Sequence, residues 1–226
     1  MRVIAVIPAY NEASRLEGVL ARLRPFVQRI VVVDDGSSDD TSEVAKAAGA
    51  VVLRHGVNRG QGAALRTGTM AALRLGADVV VHLDADGQHH PEALVDALLP
   101  LRENRADIVI GSRFLGVVPE GMPFLRRVLL GAARQFNRWT LGIPARVTDP
   151  QSGFRLLRAE AARALVFRQD RMAHASELLR VITRSSWRWV EVPVPVSYSQ
   201  ETLAKGQKTL DAPRIAWQLM LGMFHR

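Results

Sequence analysis

Apolar and polar positions in the first half of the chain alternate between two periods. Residues 3–7, 29–33, 50–53, 78–83 and 108–111 are short runs dominated by Val and Ile, the pattern of strands buried on both faces of a sheet. Between them, residues 12–23, 41–48, 63–75 and 91–101 carry apolar side chains at helical spacing, as Leu16, Val19, Leu20 and Leu23 do in the first. Asp39 or Asp40 stands where it can cap the helix over 41–48, and Pro91 occupies a first turn. Strand and helix in regular alternation predict an α/β fold with a mostly parallel central sheet and helices on both faces.

The second half is less regular. Helices are expected over 124–141, 158–165 and 173–183, and a strand over 187–192 that Pro193 and Pro195 push towards an edge. Residues 199–210 read as a polar loop. Residues 213–224 read as an apolar helix that serves as core, as a self-association contact or as a membrane-touching segment, the first two ranking ahead. With no internal repeat, low-complexity tract or linker, the expectation is one domain over 1–226, with a ligand-binding half over 1–113 and a second half over 114–226.

Composition narrows the class. Of 226 residues, 48% are hydrophobic and 23% charged, as in a soluble globular protein. The absence of cysteine excludes disulfides, thiolate chemistry and zinc–thiolate sites. The apolar N-terminus is too short for a signal peptide, and no run approaches ~18 apolar residues, so no membrane span and a cytoplasmic location are expected. The net charge of +8 is uneven: residues 1–113 hold 13 basic and 14 acidic side chains, residues 114–226 hold 17 and 8. Trp139, Trp187, Trp189 and Trp217 also lie in the second half. Basic side chains among tryptophans suit a phosphate-bearing or membrane partner, or make a solvated face. No nucleic-acid-binding motif accompanies them, so nucleic acid is not an expected partner.

The candidate chemistry starts at Leu83-Asp84-Ala85-Asp86-Gly87-Gln88, where a buried strand delivers two carboxylates at i and i+2 to its C-terminal edge. Open α/β sheets bind ligands at that edge. Two hard oxygens suit Mg²⁺ or Mn²⁺, which fill their remaining positions with waters and diphosphate oxygens. Acidic pairs also end strands in plain loops. Pro8-Ala9-Tyr10-Asn11-Glu12 follows the first strand and residues 34–41, Asp-Asp-Gly-Ser-Ser-Asp-Asp-Thr, follow the second, both on the same edge. A carboxylate there can accept from a ribose hydroxyl or a base N–H, though 34–41 reads equally as a capped turn. Asn58-Arg59-Gly60-Gln61-Gly62 opens a helix as a nucleotide-facing start or as a tight loop.

Taken in order with Gly111-Ser112-Arg113 and Asp149-Pro150-Gln151-Ser152-Gly153-Phe154-Arg155, these pieces make the chain resemble glycosyltransferase family 2, of the GT-A fold, over roughly residues 1–155. Within it the likeness is to the polyprenol-phosphate, dolichol-phosphate mannose synthase-like branch. The resemblance implies that Pro8, Tyr10, Glu12, Asp35, Gly62 and Ala85 bind the nucleotide sugar with Asp84 and Asp86. It implies that Asp84 and Asp86 hold Mg²⁺ or Mn²⁺ with Gln88 as third ligand. Arg113 then faces a phosphate, and Asp149, Gln151 and Ser152 wall the sugar and acceptor site. Arg126, Arg127 and Lys208 become candidate contacts of an acceptor phosphate. Many relatives have Lys where this chain has Gln61, which removes a cationic contact.

The implied reaction is an inverting, metal-dependent transfer from a nucleoside diphosphate sugar of GDP-mannose or UDP-glucose type. A hydroxyl acceptor needs a base. A phosphate monoester, with a second pKa of about 6, does not. Hydroxyl-directed relatives often carry an acidic pair in a later helix, whereas residues 172–177 contain Glu177 alone, either catalytic or a surface or capping acid. This favours a polyprenyl phosphate acceptor. The alternatives are a saccharide or other hydroxyl acceptor and, further off, a non-catalytic nucleotide-sugar-binding protein. A Gln-x-x-Arg-Trp pattern of processive synthases is missing, so one sugar per acceptor is expected. Arg127, Arg134 and Arg138 lie opposite the apolar face of the helix over 124–141, as in an interfacial helix or an ordinary surface one. Lys205 and Lys208 either close over a phosphate or are solvated. The expected setting is the inner membrane face, reached peripherally or through a membrane-protein partner, with homo-oligomers open. His89, His90 and His174 are not expected to bind metal, and His55 and His82 are expected to pack or hydrogen-bond locally.

Overall fold

A computed structural model describes residues 1–115, 144, 146–171 and 174–196. The helices expected over 124–141 and 213–224, the loop over 199–210, and with them Arg126, Arg127, Lys205 and Lys208, lie outside the described residues. Among those described, no helix is long and apolar enough to cross a membrane.

One seven-stranded sheet organises the structure, in the order β3-β2-β1-β4-β6-β5-β7. β1 (Val3–Ala9) and β4 (Val79–His82) are buried at every position, and β2 (Arg29–Asp34) at all but its first, because helices cover both faces. β3 (Val51–Arg54) pairs parallel with β2, β2 with β1 and β1 with β4. β5 (Ile108–Ser112) pairs parallel with β7 (Trp189–Pro193), which lies at the edge, as Pro193 and Pro195 suggested.

One element departs from the expectation. Residues 155–158 form β6 (Arg155–Arg158), antiparallel to both β4 and β5, and the helix expected from residue 158 starts after it as α5 (Ala159–Ala164). Only Leu156 and Leu157 mark this strand as apolar, and the arginine in front of them is itself buried, at 1% exposure. A four-residue strand between two arginines has no period to detect.

Two cores fill the faces. On one, Leu16, Leu20 and Leu23 of α1 (Ala13–Leu23) and Leu94, Leu98 and Leu101 of α4 (Ala93–Arg102) pack on Ala5, Ile7, Val32, Val79 and Val81. α2 (Thr41–Ala47) joins them through Ala45. On the other, α3 (Gln61–Arg74), α5 and α6 (His174–Arg184) pack Ala64, Leu65, Ala161, Leu178 and Ile182 on Ile4, Val6, Val80 and Ile110. α3 comes close because it is lined with small residues. A Cβ at Gly68 would lie 2.2 Å from Val6 Cγ1.

The chain runs from β1 outward to β2 and β3, then returns to place β4 on the other side of β1. That reversal opens a crevice beyond the carboxyl ends of β1 and β4, where open α/β sheets place ligands.

Candidate active site

The crevice is a cleft of about 390 Å³ lined by Pro8 at the end of β1 with Tyr10 and Glu12 after it, Asp35 after β2, Asn58 and Gly60 before α3 with Gln61 at its start, and Asp84, Ala85 and Asp86 after β4. The loops after β1, β2 and β4, separated widely in sequence, meet because their strands are neighbours in one register, Ala9 opposite Asp34 and Val6 opposite His82. The first two loops are laced together. Asn11 N–H donates to Ser37 Oγ at 2.9 Å, Ser38 N–H to Asn11 Oδ1 at 2.8 Å and Glu12 N–H to Thr41 Oγ1 at 3.0 Å. Asp39 accepts the N–H of Thr41 at 3.1 Å and that of Ala13 at 3.2 Å, capping α2 and tying it to the start of α1.

The neighbouring aspartates after β2 do different work. Asp34 is fully buried and accepts from Ser37 N–H and the Ser42 hydroxyl. Burial raises its pKa, but these hydrogen bonds and the Arg54 charge prevail and hold it below the ordinary aspartate range. Asp35 lines the cleft and builds its wall, accepting N–H bonds from Arg59 at 3.0 Å and Gly60 at 2.6 Å and contacting His55 Nδ1 at 2.6 Å. His55 is fixed in turn by Thr67, 2.9 Å from Nε2. The Asp35 bonds hold Gly60 at φ +104°, a left-handed backbone that glycine tolerates best.

The Asp84–Asp86 pair forms the floor. Gln88 grips Asp86 twice, from its backbone N–H to Oδ1 at 3.0 Å and from Nε2 to Oδ2 at 2.6 Å. Gln61 Nε2 donates to Asp84 Oδ1 at 2.6 Å, so a neutral amide holds this carboxylate. His89 Nε2 lies 3.6 Å from Asp84 Oδ2, and its ring tilts against Phe154. Gly153 lies directly against the same carboxylate. A Cβ there would be 2.1 Å from Asp84 Oδ2.

The two carboxyls titrate in opposite directions. At Asp84, burial raises the pKa, but the His89 hydrogen bond and charge, with the Arg155 charge, overcome it and hold the group below its ordinary value. At Asp86, burial and the Asp84 charge act together and push it up. Two acidic groups at one point, one driven towards the neutral form by the other, fit a divalent cation, which relieves the repulsion. No cluster of three or more His, Asp or Glu with metal-holding geometry occurs among the described residues. The pair therefore suits an ion that takes its remaining ligands from water and phosphate.

On the far side, Arg113 Nε and Nη2 fork onto Asp149 Oδ2 and Oδ1 at 2.6 and 2.7 Å, and Arg113 N–H donates to Oδ2 at 3.1 Å. Asp149 is 2% exposed, a carboxylate dedicated to this arginine. Ser152 is buried and its hydroxyl accepts Phe154 N–H at 3.2 Å, so it shapes the turn into β6, while Gln151 is exposed beside it.

Two expectations change. Gly62 does not line the cleft. A Cβ there would meet Gln169 O at 2.2 Å and His174 Cβ at 2.7 Å, so this glycine makes room for protein. The start of α3 is likewise occupied, since Gly62 and Ala63 N–H donate to Asp170 O at 2.8 and 3.3 Å. Glu177 belongs to the same arrangement. Its Oε2 accepts Arg168 N–H at 2.9 Å and Gln169 N–H at 2.7 Å, which pins the segment seated on α3. Sequence spacing gave no sign of this contact, because its two sides lie about a hundred residues apart. Two histidines are buried nearby. His82 Nε2 lies 2.8 Å from Thr69 Oγ1 and His174 Nδ1 2.9 Å from Arg171 O. Burial and the Arg155 charge lower them to about 3 and about 4.

The glycosyl transferase family 2 model matches residues 4–165. A UDP-N-acetylglucosamine–dolichyl-phosphate N-acetylglucosaminyltransferase of Methanococcus voltae is 30% identical over 241 residues, 97% of this chain and 95% of that protein. An undecaprenyl-phosphate mannosyltransferase of Micrococcus luteus is 39% identical over 176 residues, 73% of this chain and 70% of that one. Among solved structures, glucosyl-3-phosphoglycerate synthase of Mycobacterium tuberculosis, in complex with Mn²⁺, UDP and glucosyl-3-phosphoglycerate, superposes with a TM-score of 0.73 at 22% identity. That alignment covers 98% of this chain and 79% of the other and is a likeness of fold. The chain belongs to glycosyl transferase family 2 and has the GT-A fold.

Proposed function

We propose that the protein moves one sugar from a nucleoside diphosphate sugar to a polyprenyl phosphate, with inversion, using a divalent cation held by Asp84 and Asp86. The observation that carries this reading is the acidic pair at the strand-order reversal, opening into the same cleft as Tyr10, Glu12 and Asp35. The acceptor class rests on the relatives whose names specify dolichyl or undecaprenyl phosphate.

Each side chain has a task in this reading. Tyr10, 48% exposed, offers a ring face at the cleft mouth on which a base stacks. Glu12 and the wall built by Asp35 border the nucleoside. Asp84 and Asp86 present oxygens to Mg²⁺ or Mn²⁺, with Gln61 and Gln88 fixing their rotation. When bound, such an ion acts as a Lewis acid that offsets charge on the departing diphosphate. Arg113, held rigid by Asp149, faces a phosphate. Gln151 lies beside it. The acceptor phosphate is already ionised near neutrality and attacks in line without a base. Glu177, engaged by two backbone N–H groups, positions the segment over α3 and takes no proton. Because the acceptor is a lipid, transfer takes place at a membrane surface, to which Arg126, Arg127 and Lys208 add positive charge.

The test is nucleoside diphosphate release with Mn²⁺ or Mg²⁺ from GDP-mannose, UDP-glucose and UDP-N-acetylglucosamine, each with and without a short polyprenyl phosphate. Release from one donor that requires the lipid phosphate supports the reading. Release indifferent to the lipid moves the acceptor to a hydroxyl. Donor binding without release from any of them marks a non-catalytic protein.

A further inference from the structure

Among the described residues, the largest fully buried side chain is a charged one. Arg155 is 1% exposed, and its Nε and Nη1 have no hydrogen-bond acceptor among the described residues. A guanidinium is charged at any working pH, so its burial is expensive and calls for a reason. Its position supplies one. In the sheet, Arg155 stands between His82 of β4 and Ile110 of β5, which puts its side chain on the face covered by α3, α5 and α6. The charges that act on it are those of Asp84, on the floor of the cleft, and Asp149, which carries the Arg113 fork. Two residues before it, Gly153 lies against the Asp84 carboxylate. Arg113, Asp149, Arg155 and Asp84 thus alternate in sign from the phosphate-facing wall to the acidic pair.

We propose that Arg155 is a positioning residue: its buried guanidinium is the shared counter-charge that ties the Arg113–Asp149 fork to Asp84 and fixes the spacing of the two walls before donor binds. It touches neither donor nor cation. This rests on the proposed function, since it assumes that Asp84 and Asp86 hold the ion. The proposal has a sharp consequence. A positive charge near a cation site weakens cation binding by simple repulsion, so removing it should strengthen binding if charge were its whole effect. A positioning role demands the opposite.

The experiment is Mn²⁺ titration of the full chain, with and without UDP or GDP, followed by the electron paramagnetic resonance of free Mn²⁺. It uses wild type, R155M, R155K, D149N and R155M/D149N, with far-UV circular dichroism on each. R155M is expected to bind Mn²⁺ at least tenfold more weakly than wild type, and R155K, which keeps the charge without the fork, to recover most of the loss. The double variant is expected to bind no more weakly than the weaker single one, because both substitutions break the same chain. Unchanged or tighter Mn²⁺ binding by R155M overturns the proposal, as does a strictly additive double variant. If R155M does not fold, R155K decides: near-wild-type binding supports the proposal, and a tenfold or greater loss in a folded R155K overturns it. Failure of wild type itself to bind Mn²⁺, alone or with either nucleotide, counts instead against the proposed function.

Discussion

Gly153 shows how much of this site depends on single atoms. Its α-carbon abuts the Asp84 carboxylate, with no room for a methyl group. Gly153→Ala must therefore rotate or displace Asp84. We expect sugar transfer to fall at least a hundredfold in this variant, with a melting temperature within a few degrees of wild type, read by product release and by calorimetry. A full-rate enzyme would mean that Asp84 can move without consequence. The buried histidines give a second residue-level expectation. His174 has its pKa lowered from 6.5 to about 4, so the unfolded chain takes the proton first. Stability that is fully present above pH 6.5 is then lost as pH falls towards 4, at roughly 1.4 kcal/mol per pH unit for one such group. Urea unfolding at pH 7, 6 and 5 should show the decline, and His174→Gln should make it shallower, with buried His82 supplying the remainder; an equal slope in both proteins would remove His174 from the cause. Individual residues were also where sequence reading had least reach. Asp34 and Asp35 look alike in a string, yet one is fully buried beneath the loop and the other builds the cleft wall. Which of two neighbours turns inward depends on partners such as Ser42 and Gly60, not on the dipeptide.

At the scale of elements, the buried parallel strands were legible because burial on both faces leaves an uninterrupted Val and Ile run, as in β1 and β4. Their ends carried the site, so Asp84, Asp86, Tyr10 and Glu12 were legible together. β6 was not, for two of its four residues are arginines and one of those is buried. The role of Gly62 was hidden for a related cause, since the segment that needs its space arrives from residues 169–174. α3 illustrates what such small residues do. Gly68 lets the helix approach β1 until its α-carbon nearly meets Val6. Gly68→Ala gains helix propensity but overpacks the sheet, and we expect a net destabilisation of about 1–3 kcal/mol in denaturant unfolding. A stabilised protein would show that the helix can lift without cost.

For the whole molecule, a reversal in strand order, not any single motif, gathers residues 8–12, 35, 58–61 and 84–86 into one cleft. The antiparallel β6 then brings Asp149–Arg155 against the same floor from the other direction, so that the wall bearing Arg113 and the acidic pair share one sheet. The most direct measurement of the function is mass spectrometry of a short-chain polyprenyl phosphate after incubation with donor, Mn²⁺ and either wild type or Asp86→Ala. Wild type should convert the lipid to a species heavier by one sugar residue, and Asp86→Ala should leave it unchanged. A lipid phosphate left unmodified by wild type with every nucleotide sugar, or one still glycosylated at full rate by Asp86→Ala, would contradict the assignment.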